Sequence, residues 1–232
     1  MKNNALKNMF KGLLVIAIYY IMSVYQGLPF VLFGIDTEKI SIVVKSIYLT
    51  CYELLMILII YSIYKTLLQE KWEDFKKNHI QYFNKYFKYW FLLLGLMMIS
   101  NMIIMFITKD TSGAQNQNEV INLFKKAPIY TYLSAVVFAP IVEELVFRQS
   151  IRYIIPKNNI LYIIVSGLIF GGMHVLGSTN LTEFIYIIPY SLPGMIFAYV
   201  LTKSDNIFTT MGLHFIHNGI LMSIQTIMLI FG

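Results

Sequence analysis

Apolar residues along the chain gather into seven long runs, at about Phe10–Phe33, Ile40–Leu68, Tyr89–Ile107, Ile129–Ile155, Ile160–Leu176, Phe184–Leu201 and Ile207–Phe231. A helix rises about 1.5 Å per residue, and a hydrocarbon core of about 30 Å takes roughly 17–25 residues to cross. Each run is therefore long enough to span a bilayer. The pattern predicts an all-α polytopic membrane protein of about seven transmembrane helices. Pro189, Pro193 and Gly194 interrupt the sixth run. Between the second and third runs, Gln69–Lys88 interleaves lysines, acids and aromatics and predicts an amphipathic helix in the headgroup layer, against the plainer reading of a solvated loop. Lys109–Lys126, centred on Asp-Thr-Ser-Gly-Ala-Gln-Asn-Gln-Asn, predicts a mobile polar loop. Residues 1–232 show no internal repeat and no soluble segment, so they are expected to form one integral membrane domain.

Composition agrees. The chain is 57% hydrophobic and 13% charged, with a mean hydropathy of +0.64, where a soluble domain carries roughly 25% charged residues. The formal charge of +6 reads as positive-inside loops and contact with anionic lipid, not as a nucleic-acid surface, since no basic stripe carries interleaved aromatics. With the N-terminus placed in the cytoplasm, Lys and Arg outside the spans fall twelve inside to four outside, with Lys45 and Arg148 inside spans. The first run follows the basic flank of Met1–Lys7 with no small-x-small cleavage site and is expected to be a retained span. The richness in Ile, Lys and Asn resembles low-GC bacterial proteins, so the expected location is the bacterial cytoplasmic membrane, multi-pass. The single cysteine, Cys51, lies in an apolar run, which excludes an internal disulfide and a cysteine metal cluster.

The fourth run carries the chemistry. Pro140-Ile-Val-Glu-Glu-Leu-Val-Phe-Arg148 places two carboxylates and a guanidinium in an otherwise apolar stretch. Charges in hydrocarbon cost several kcal/mol and tend to face an interior and to carry function. Glu144 and Arg148 are four apart with the acid first, the favourable order for a helical pair. Glu143 is rotated about 100° away and has no partner on its own helix. Pro140 is expected to kink the helix or free a carbonyl. Further polar groups stand in later spans: Phe170 and His174 share one helical face, as do His214 and Asn218, with His217 on a neighbouring face. Gly167, Gly171 and Gly172 give the fifth span a small surface open to close helix approach. At 1.5 Å per residue His174 falls deeper in the membrane than Glu143 and His214.

A carboxylate and a histidine on facing helices can activate water, and a second histidine with an asparagine can donate to a developing oxyanion. No Gly-x-Ser-x-Gly element is present and Cys51 has no motif around it, so a serine or cysteine mechanism is excluded. Zinc is the competing account of the same residues, with His174, His214, Glu143 and His217 as its ligand set, although His-Glu-x-x-His is absent. Two readings from other classes use the same residues: a proton-coupled transporter with proline-broken helices, and a non-catalytic immunity or binding protein.

Glu143-Glu144-x-x-x-Arg148, Phe170-x-x-x-His174 and His214-x-x-x-Asn218, in this order on three spans, resemble the CPBP family of CAAX proteases and bacteriocin-processing enzymes, also called Abi, which includes the type II CAAX prenyl endopeptidase. The likeness covers about Ile129 to Asn218. It implies an intramembrane endopeptidase whose catalytic helical core is 127–232. Glu143 would activate water with the help of His174, His214 and Asn218 would line the oxyanion site, and Glu144, Arg148 and Phe170 would support them. No cofactor is firmly implied. The substrate would be a membrane-embedded or membrane-associated peptide, in bacteriocin or pheromone maturation or in self-immunity, and no oligomeric state is implied. His217 is not a motif residue. The sequence stops at Gly232, just after the third-motif helix, so the closing helix of larger relatives is expected to be missing.

Overall fold

The computed structural model describes residues 2–178 and 180–231, and among them there are helices and turns but no strand. Met1, Thr179 and Gly232 lie outside the described residues. α1 covers Lys2–Tyr25 and α2 is the short Leu28–Leu32. α3 runs Ile42–Thr108, α4 is Gln115–Lys126, and α5 is a continuous helical stretch over Pro128–Ile154. α6 covers Asn159–Val175. A 3₁₀ turn, Leu181–Tyr186, leads into α7 at Ile187–Ser204, and α8 covers Ile207–Phe231. Five of the helices are long and apolar enough to cross a membrane, and the protein is an integral membrane protein. That number differs from the seven apolar runs because α3 contains two of them and α6 is only 17 residues long.

Three expectations need correcting. The stretch Gln69–Lys88 is helical, as expected, but it is the middle of α3, which is unbroken for 67 residues, and not an element of its own. Nothing in it stops a helix, since it holds neither proline nor glycine. Hydropathy marks where the chain leaves hydrocarbon, and that is a different event from a helix end. The polar segment 109–126 is a loop only over its first residues, where Lys109 and Gly113 take positive φ of 54° and 76°. From Gln115 it is helical, because Val120 and Phe124 lie four apart on one face and Phe124 packs on Val136 and Met222. The first run breaks after Tyr25, where Gly27 and Pro29 follow, so the span is shorter than Phe10–Phe33.

The course of α3 organises the fold. Its first half follows α5: Ser134 donates to Glu53 at 2.6 Å, and the Tyr64 hydroxyl lies 2.7 Å from that of Ser150. Its middle meets the α7–α8 turn, where Lys71 pairs with Asp205 at 2.8 Å and the Asn206 amide donates to Asp74 at 2.7 Å. Its second half then runs back along α7, from the Tyr86 hydroxyl on the Lys203 carbonyl to Ile104 beside Tyr186. The helix thus arches around the α7–α8 turn. The main core fills the space under the arch, where Ile60, Leu145, Val146, Tyr162 and Ala198 are buried together.

α6 and α7 cross very closely. A Cβ added to Gly194 would stand 2.6 Å from the Gly167 Cα, and one on Gly171 would stand 2.8 Å from the Ile187 carbonyl oxygen. These two helices need glycine at the crossing. Gly172 faces open space and takes no part, contrary to the expectation for that residue.

Candidate active site

Pro140 has no N–H to donate, so the Val136 carbonyl loses its ordinary partner. α5 does not break there. Instead it is π-helical over Ser134–Phe138 and again over Glu144–Ser150, with an α-helical turn at Ala139–Glu143 between them. Such wide turns recur at functional sites, where they re-aim side chains. One carbonyl in the second wide turn, that of Leu145, accepts from the Ser150 hydroxyl at 2.8 Å.

Within this distorted helix Glu144 and Arg148 are wholly buried, with Arg148 Nε 3.3 Å from Glu144 Oε1. The guanidinium lies over the Phe170 ring at 4.1 Å, and its Nη2 donates to the Pro193 carbonyl at 3.4 Å. From α8, His214 brings its Nδ1 to 2.9 Å from the same Glu144 oxygen. Its Nε2 faces Glu143 Oε2 at 3.7 Å. Glu143 has therefore no partner on its own helix, as the spacing predicts, but it has one across the bundle. Its side chain is 17% exposed, against none for Glu144. One acid is locked and the other reaches a cavity of about 270 Å³ between α1, α3 and α5.

The remaining residues predicted for the site stand further out along their helices. His174 is one turn beyond Phe170, stacks on Tyr190 with ring centroids 4.8 Å apart, and places Nδ1 2.9 Å from the Phe170 carbonyl. Phe170 itself touches the His214 ring edge-on, so it bridges the two histidines. Asn218, one turn beyond His214, donates to the Ala135 carbonyl at 2.7 Å. That bond ties α8 to the first wide turn of α5. The offset between His174 and Glu143 in the depth estimate thus has a counterpart: Phe170, not His174, lies level with the acids.

His217 points elsewhere. It is buried, and it lines a separate cavity of about 470 Å³ together with Met97, Asn101 and Tyr190 on the far side of α8. Among the described residues no three His, Cys, Asp or Glu side chains are placed to hold a metal ion. The ligand set His174, His214, Glu143 and His217 is spread over several places and does not fit a zinc centre.

Glu53 escaped the sequence reading. It lies in the apolar first half of α3, carries the same signal as Glu143, and lines the same cavity. Tyr190, the stacking partner of His174, has no comparable signal, because one tyrosine among many apolar residues does not stand out.

Residues 125–220 match the family model described as Type II CAAX prenyl endopeptidase Rce1-like. The likeness to that family extends over residues 125–220. The matched segment holds all three motifs and the whole cluster around Glu144, and it agrees with the likeness to the CPBP proteases. That family is one of CAAX endopeptidases, hydrolases acting on peptide bonds. No curated protein and no solved structure matches the chain.

Proposed function

We propose that this protein cleaves a peptide bond of a membrane-associated peptide or protein with a water molecule activated at Glu143. The observation that carries the reading is the division of labour between the adjacent acids. Glu144 is buried between Arg148 and His214, while Glu143 stands on a cavity wall with His214 Nε2 at 3.7 Å. Glu143 takes a proton from water, and the oxygen attacks the substrate carbonyl. His214 holds its Nδ1 proton toward Glu144, so Nε2 is the nitrogen that faces the reaction. Glu143 passes the proton taken from water to His214 Nε2, and the imidazolium, lying between two carboxylates, donates to the oxyanion and then gives the proton to the leaving amine. Asn218 has a second amide proton for the same oxyanion. His174, held by Phe170 and Tyr190, would help orient the water.

A transmembrane peptide is internally hydrogen-bonded, so it must unwind before its carbonyl meets water. The cavity beside Glu143 is where an extended segment would lie. In a bacterial cytoplasmic membrane the substrates would be secreted peptides under maturation, such as bacteriocins or pheromones, or partners in self-immunity. The N-terminus would be cytoplasmic and the basic middle of α3 would face anionic lipid. The test is purified protein in detergent with candidate membrane peptides, read by mass spectrometry, comparing wild type with Glu143→Ala. New termini that appear only with wild type support the reading. Equal product from both proteins overturns it, and binding without cleavage by wild type marks a non-catalytic binder.

A further inference from the structure

A groove of about 410 Å³ lies between the first turns of α3 and those of α5. Its apolar walls include Val43 and Ile47 on α3 and Ile129 and Leu133 on α5, all four exposed. Both helices enter an apolar run here, so the groove stands at a membrane boundary, at the opposite end of the first apolar half of α3 from its basic middle. Lys126, the last residue of α4, lines it. That ammonium is exposed and has no carboxylate partner among the described residues. The Ser46 and Thr50 hydroxyls line the groove as well, with no hydrogen-bond partner among the described residues. α5 opens at Pro128 in the same wall, where the N–H groups of Ile129 and Tyr130 have no acceptor within the helix. The start of a helix carries partial positive charge and adds to that of Lys126. An exposed apolar channel thus ends against a cation, and no acid lines it.

We propose that this groove binds an anionic phospholipid, with an acyl chain against the apolar walls and the phosphate on Lys126. The inference does not rest on the peptidase reading. Lipid is the occupant because the walls are exposed apolar faces of two membrane-crossing helices. The ammonium offers three donors to phosphate oxygens, and the Ser46 and Thr50 hydroxyls can donate to ester carbonyls. Basic pockets between membrane-spanning helices select anionic headgroups in this way. A choline headgroup brings a cation of its own toward Lys126, so a zwitterionic lipid docks less well. Tyr130 belongs to the groove and donates to Glu53 at 3.1 Å, so the lipid site backs onto the wall of the cavity at Glu143.

The chain supplies its own reporter. Cys51 is its single cysteine, lines the groove and is exposed, so the rate of its alkylation by a maleimide in detergent micelles reads occupancy. Phosphatidylglycerol or phosphatidylcholine with the same chains is titrated into wild type, Lys126→Gln, Lys126→Arg and Lys45→Gln. Both lysines are exposed, so melting temperatures should stay close to wild type. The expected result for wild type is half-maximal slowing at about tenfold less phosphatidylglycerol than phosphatidylcholine, about 1.4 kcal/mol. Lys126→Gln should bring the two lipids together, and Lys126→Arg should keep them apart. Lys45 does not line the groove, so Lys45→Gln should keep the contrast too. Equal slowing by both lipids in wild type, or a contrast that survives Lys126→Gln, overturns the site. Loss of the contrast in Lys45→Gln also overturns it, by showing general surface charge. Glycerol phosphate, the headgroup without chains, should leave the rate unchanged, and slowing by it alone marks a plain anion site. Slowing that rises with protein concentration without lipid means that a second copy covers the groove. Either of those last two results overturns the lipid assignment.

Discussion

His214 holds Glu144 across the bundle at 2.9 Å through Nδ1, and this bond fixes which nitrogen of the ring faces Glu143. The contact joins two of the three motifs. It also gives the two acids different duties, because Glu144 already has Arg148 and His214 while Glu143 has open space on one side. A partner on the second ring nitrogen is how proteins commonly set a histidine's tautomer and aim.

Glu143→Gln is expected to reduce cleavage by about 10²–10⁴-fold or below detection, the range for losing a positioned acid–base group. Melting temperature should hardly move, since the side chain has a 3.7 Å neighbour and part of its surface in the cavity. A large drop in melting temperature with cleavage retained would make Glu143 structural.

Arg148→Ala is expected to destabilise the fold by about 3–5 kcal/mol, because it strands the buried Glu144. The same substitution loosens the aim of His214. Thermal unfolding in detergent checks the first effect, and normal stability would mean that the ion pair does not contribute.

Gly194→Ala is expected to cost about 1–3 kcal/mol by forcing α6 and α7 apart. The obstacle is the Gly167 Cα at 2.6 Å, which is backbone and cannot rotate away. Gly172→Ala is the control, since that site faces open space. Equal stability of the two variants would show that the close crossing is not needed.

Asp74 lies in the polar middle of α3, between its apolar halves. The Tyr82 hydroxyl, and next the Asn206 amide, hold its carboxyl below the usual carboxylate range. A lowered folded value stabilises the fold above the unfolded value of about 3.9 and loses that contribution as pH falls through the folded value. The group is only partly buried, so the effect is under about 1 kcal/mol. Asp74→Asn should therefore narrow the gap between melting temperatures at about pH 6 and about pH 3. An unchanged gap would exclude Asp74 as a source of acid sensitivity.

Exhaustive chelation is expected to leave cleavage intact, because His174 and His217 do not join His214 at the acids. Loss of activity on chelation and its return with zinc would require His174, His214 or His217 to move together.

Much of this was legible before the fold. Charge inside an apolar run marks Glu143, Glu144 and Arg148 without ambiguity, and four-residue spacing places Phe170 with His174 and His214 with Asn218. What spacing along one helix does not carry is distance between helices. The bond from His214 to Glu144 and the separation of His217 from both depend on how α8 turns against α5. The wide turns around Pro140 are equally hidden, since they arise from one missing N–H and the choice of neighbours to shift register rather than bend. Glu53 was legible by the same rule as Glu143 and lies outside the three motifs, where attention was not drawn.

The unbroken α3 has a consequence for how anything enters. The cavity wall bearing Glu53 is continuous with the half of α3 that packs along α7. That wall cannot swing outward without dragging the second half of the arch across α7 and α8. α1 is built differently. It ends at Tyr25 and connects to α3 through Gly27, Pro29 and Gly34, the last at φ 62°. α1 also carries Tyr19 and Ser23 on the opposite side of the same cavity, and Gln26 follows just after it. Of the two walls, α1 is the one that ends at a connection holding glycine and proline.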